Sequence, residues 1–157
     1  MKKLFSVLAV LFVLGTASTF ATGIGLQAGP VIGSGVGYGG AVTFKLDKAP
    51  CVFAVSVPSF SPLAIGATAD WWIGNPKIDG TWGWFYGVGL AGAVYIGNNA
   101  ASLGVGGRAF VGTNVFILNN FLEFYLDGAW QPMIHINNGV NPALVNFPID
   151  FGFRFWF

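Results

Sequence analysis

The chain has 157 residues, of which 54% are hydrophobic, 17% aromatic and only 8% charged, with a formal net charge of +1. An average soluble domain is roughly 25% charged, so this composition excludes a disordered tail and argues against an ordinary soluble enzyme, whose surface needs more ionisable groups. The near-neutral balance gives no basic footprint for nucleic acid, and the single cysteine, Cys51, excludes an intrachain disulfide framework and a cysteine-based zinc site.

In chain order, the first feature is a targeting segment. Lys2 and Lys3 precede an apolar run over 4–14 broken only by Ser6, and residues 15–21 are mostly small. That is the layout of a secretory signal peptide, with a run too short for a membrane span. Cleavage is expected after Ala21, leaving 22–157 as the mature domain, and no nearby cysteine follows to make it a lipoprotein. This domain holds five basic residues (Lys45, Lys48, Lys77, Arg108, Arg154) and six acidic ones (Asp47, Asp70, Asp79, Glu123, Asp127, Asp150).

Turn-forming residues divide the domain into eight runs. They are Gly33-Ser34, 47–50, Ser61-Pro62, 75–77, Asn98-Asn99 and Asn119-Asn120, rich in residues that reach positive φ or fix φ. The predicted strands are 23–32, 35–46, 51–60, 63–73, 82–96, 102–116, 121–131 and 147–157. The last shows the period of two most plainly: Phe147, Ile149, Phe151, Phe153, Phe155 and Phe157 take every odd position. A helical span over Gly83–Gly97 is a poor alternative, because five of its fifteen residues are glycine and a span needs about 20 apolar residues. Only helices and closed barrels satisfy their backbone in lipid. Eight strands of about ten residues therefore predict an all-β fold: an eight-stranded antiparallel up-and-down transmembrane β-barrel.

The charges supply an internal test. Phasing each strand by its larger apolar residues places Lys45, Asp70, Arg108, Glu123, Asp127, Asp150 and Arg154 on the opposite, inward face, and leaves Asp47, Lys48, Lys77 and Asp79 in turns. An Arg or Lys facing lipid near the midplane would cost roughly 2–4 kcal/mol. The inward seven form a predicted lumen charge network, with contacts expected between Glu123 and Arg154 and between Arg108 and Asp127. Gly25, Gly29, Gly37, Gly39, Gly87, Gly89, Gly104, Gly106 and Gly152 also point inward. They either make room for bulky inward groups such as Tyr125 and Trp156 or leave a void that holds water or a ligand. Trp71, Trp82 and Trp84 near one end, and Trp130 near the other, are predicted to form the interface aromatics of a membrane barrel.

Other motifs carry little chemistry. Gly87-Val-Gly89-Leu-Ala-Gly92 has the spacing of a dinucleotide fingerprint but lacks its helix and its acid. His135 falls in the longest predicted loop, 132–146, and is read as facing water. The predicted outer loops supply serines but no carboxylate to complete a triad with it. One histidine without neighbouring acids is not a metal site, and Cys51 is read as a small apolar filler. No catalysis, metal or cofactor is expected.

The C-terminal strand resembles the assembly signal of the small eight-stranded outer-membrane barrels of the OmpA-transmembrane-domain, OmpX and OmpW type. Asp150, Gly152, Phe155 and Phe157 fill its polar, glycine and two hydrophobic positions. The resemblance covers the whole mature domain as architecture and the last strand as motif. It implies outer-membrane lipid as the surroundings, with the barrel-assembly machinery and periplasmic chaperones as partners during biogenesis. The expected function is a structural or surface-interaction barrel with a largely plugged, salt-bridged lumen. The alternative is a narrow pore or binding barrel for small or hydrophobic molecules, its ligand unknown, as the OmpW type implies.

Overall fold

The computed structural model describes residues 22–33, 37–47, 49–60, 63–96, 101–137 and 139–157. The predicted signal peptide 1–21, Lys48 and the turn residues Ser34, 61–62 and 98–99 lie outside them. Among the described residues the strands are β1 (Thr22–Gly33), β2 (Gly37–Leu46), β3 (Cys51–Phe60), β4 (Leu63–Gly74), β5 (Lys77–Asp79), β6 (Trp82–Ile96), β7 (Ala101–Ile117), β8 (Leu122–Trp130), β9 (Met133–Ile136), β10 (Val140–Ala143) and β11 (Asn146–Trp156).

Eight of these are the predicted strands, and each pairs antiparallel with its neighbours around a closed ring, β1-β2-β3-β4-β6-β7-β8-β11 and back to β1. The seam between β1 and β11 is fastened by reciprocal hydrogen bonds. Thr22 N donates to Phe157 O at 3.1 Å and Phe157 N donates to Thr22 O at 3.2 Å. These two residues mark the near end of the barrel. Burial alternates along the strands as the period of two requires: Phe85 is buried, whereas Trp84, Tyr86, Val88 and Leu90 are exposed on the outside.

Three short strands were not predicted. β5 extends the near end and closes onto β6 through Gly80, whose φ of +49° suits glycine. It carries Lys77 and Asp79, both exposed, in a strand where a turn was expected. β9 and β10 form a hairpin inside the segment 132–146, which corrects the expectation of a loop there. The cause lies in β7, which is 17 residues long. Its half over 109–117 pairs with β8, and its remaining half over 103–106 pairs with β9. Met133 and His135 alternate with Ile134 and Ile136, so the segment meets strand requirements. Pro142 is tolerated because β10 lies at the edge of the sheet order.

Candidate functional site

The interior is built from the inward residues of successive strands, and register decides which of them meet. Asp70, Gly89 and Arg108 lie in one row across β4, β6 and β7. Gly89 has no side chain, so the Arg108 guanidinium crosses it. Its Nε lies 3.2 Å from Asp70 Oδ2. The contact is out of line for a hydrogen bond, which leaves Asp70 Oδ1 and Arg108 Nε without a hydrogen-bond partner among the described residues. Arg108 Nη2 is 3.1 Å from Asp127 Oδ1 and 3.7 Å from Asp150 Oδ2. Asp127 and Asp150 face each other directly across β8 and β11. Like charges so placed repel, and Arg108 offsets that repulsion. This far cluster formally carries an excess of two negative charges.

A second cluster sits closer to the near end. Glu123 stands opposite Arg154 across β8 and β11 and is 0% exposed. Its carboxylate accepts from Arg154 Nη1 at 3.2 Å, Asn114 Nδ2 at 2.8 Å and Trp156 Nε1 at 3.1 Å, and Lys45 Nζ lies 3.9 Å away. Lys45 also sits 3.4 Å from the centre of the Trp72 ring, and the Arg154 guanidinium lies 3.8 Å from that of Tyr125, both favourable cation–π placements. Arg154 Nε donates to Thr43 Oγ1 at 3.2 Å across Gly25. The near cluster formally carries one excess positive charge.

Apolar rings fill the space between. Trp72 stacks on Phe85 at 3.9 Å, and Phe85 packs against Phe110 at 6.3 Å. The inward glycines are the counterparts of these groups. A Cβ on Gly152 would collide with the Tyr125 ring, one on Gly112 with Phe85, and one on Gly87 would come within 2.6 Å of Phe110 Cζ. At mid-height these side chains occupy the space beside the glycines. The cavity left among Arg108, Asp127, Trp72 and Arg154 is about 10 Å³, room for about one water. Wider spaces lie on either side. One of about 280 Å³ opens toward the far end beside Tyr95, Gln131, Met133 and His135. Another of about 390 Å³ opens at the near end beside Lys45, Trp72 and Trp156.

The outward aromatics occupy the wall. Trp71, Trp82, Trp84 and Trp130 are all exposed. Trp82 Nε1 donates to Thr113 Oγ1 at 2.7 Å and Trp130 Nε1 to Leu144 O at 2.8 Å, so these apolar rings have their polar ends satisfied. Of the assembly-signal residues, Asp150 and Gly152 turn inward. Phe155 and Phe157 turn outward against Phe121, at 5.6 and 5.9 Å.

No protein-family model matches the chain, and no curated protein matches it in sequence. The crystal structure of Neisserial surface protein A is similar in fold, with a TM-score of 0.54 and 14% identity over 88% of this chain and 97% of that one. The architecture is that of a small eight-stranded barrel.

Several interior residues escaped the sequence reading. Trp72 lies in phase with Asp70, and Asn114 with Arg108, so strand parity carried the signal for both. His135 is the plainest correction: it is a half-buried strand residue facing the interior, its ring edge-on to Tyr95 at 5.1 Å, and not a water-facing loop residue.

Proposed function

We propose that this chain is an integral outer-membrane barrel with a structural or surface-interaction role, no catalysis, and a lumen closed at mid-height. The observation that carries the membrane reading is the inverted charge distribution. Lys45, Arg108, Glu123, Asp127 and Arg154 are buried inside, while Leu26, Val55, Ile65, Leu90, Val111, Leu126 and Phe151 are exposed on the wall. A protein folded in water has no cause to adopt that arrangement, whereas hydrocarbon penalises outward charge and backbone edges alike. The end away from the longest connection, 131–146, faces the periplasm, and that connection faces outward.

Tryptophan quenching tests the placement. In vesicles with brominated acyl chains, a single-tryptophan variant keeping Trp71 or Trp130 is expected to lose most of its fluorescence. One keeping Trp72 should lose little. Equal quenching of all three would refute the membrane orientation.

The narrow mid-height cavity and the two ion clusters flanking it support a closed lumen over a conduit. Planar-bilayer recording of the mature chain is expected to give closed traces. Stable, discrete openings that change when Arg108 or Arg154 is made alanine would favour the narrow-pore reading instead. The far cavity is the feature that would suit a binding barrel.

A further inference from the structure

The geometry points to a binding site for a soft monovalent cation, Cu(I), held by Met133 and His135 in the far cavity. Apart from Met1, Met133 is the sole methionine of the chain, and His135 is its sole histidine. Two residues apart on β9, they share a face, and both line the cavity of about 280 Å³. Each stands opposite a glycine of β7: His135 pairs with Gly104 and Met133 with Gly106. The bare backbone there leaves room beside both side chains. A Cβ on Gly104 would sit 3.0 Å from Met133 Cε and 3.3 Å from His135 Nδ1.

The donor atoms are available. Gln131 Nε2 donates to Met133 Sδ at 3.4 Å, and both residues line the far cavity. The His135 ring makes its edge contact with Tyr95, and among the described residues its nitrogens make no hydrogen bond. Although Met133 is only 4% exposed, its three rotatable torsions let the thioether swing to meet a small ion.

The donor set selects the metal. A thioether with an imidazole suits Cu(I), while hard cations need oxygen ligands. Among the described residues no group of three His, Cys, Asp or Glu could hold a metal, so zinc and calcium have no competing cage. Beneath the pair lies the far cluster with its excess negative charge. Gln131 joins the two, since its Oε1 accepts from Arg108 Nη1 at 3.0 Å. The site requires only the far cavity, so it stands whether or not the lumen conducts.

Cu(I) titration of the full mature chain, refolded in detergent micelles and competing with a chromogenic Cu(I) chelator, tests the site. All variants carry Cys51→Ala, because the Cys51 thiol would itself take the metal. One equivalent is expected to bind, with affinity falling by about tenfold or more in either Met133→Leu or His135→Phe, and binding lost in the double variant. Met133→Leu preserves side-chain volume, His135→Phe keeps a ring against Tyr95, and circular dichroism checks that both fold. Zinc(II) should not displace the bound copper. Unchanged affinity in Met133→Leu, parent binding no tighter than that of the double variant, or equal affinity for zinc(II) would each overturn the site.

Discussion

Glu123→Ala is expected to cost the barrel about 3–5 kcal/mol, because removing one partner of a buried ion pair leaves the other uncompensated. Here two cations lose their anion, since Lys45 and Arg154 are 8% and 2% exposed and both approach the Glu123 carboxylate. Asn114 and Trp156 lose an acceptor in the same step. Urea titration in micelles, followed by gel mobility of the folded form, reads the loss. Removing Arg154 as well should recover part of it, and the double-mutant cycle should give a coupling energy of about 0.5–3 kcal/mol. A loss below about 1 kcal/mol in the single variant would show that water reaches and screens this cluster.

Gly25→Ala is expected to destabilise the barrel by about 1–3 kcal/mol or more, as overpacking does where the neighbour cannot yield. A Cβ at Gly25 would fall on the Phe153 carbonyl oxygen and lie 2.7 Å from Arg154 Cα. Both are backbone atoms of the seam strand, so β1 and β11 would have to part. Gly128→Ala is the contrasting case. Nothing lies within 4 Å of its added methyl, and a stabilisation of about 0.4–1 kcal/mol is expected from the reduced freedom of the unfolded chain. Equal effects at the two positions, read by the same urea titration, would contradict the account of inward glycines as places of close approach.

The period of two made the barrel legible. Once Phe147, Phe151 and Phe155 define an outer face, Asp150 and Arg154 must lie on the other, and the same parity applies to each long strand. Parity says nothing about stagger, however. That Arg108 meets Asp70 and Asp150 together with Asp127 depends on the slanted row through Gly89, which appears only when the sheet is closed. The segment over 132–146 was misread for a related reason. Its strands exist because the outer half of β7 lacks another partner on that side, a tertiary cause that outweighs Pro142 and the surrounding asparagines. The narrowing at mid-height likewise arises from rings and glycines contributed by different strands, which a one-dimensional reading cannot match.

The seam between β1 and β11 has a kinetic consequence. Each of these strands finds half its backbone partners at the opposite end of the sequence, so the sheet keeps two raw margins until its most distant parts come together. Any partly assembled precursor would expose a greasy exterior and open edges to its neighbours, which invites clumping. Closure of the sheet is therefore a late step of folding. Losing the final strand would forfeit the whole cylinder and not an eighth of it.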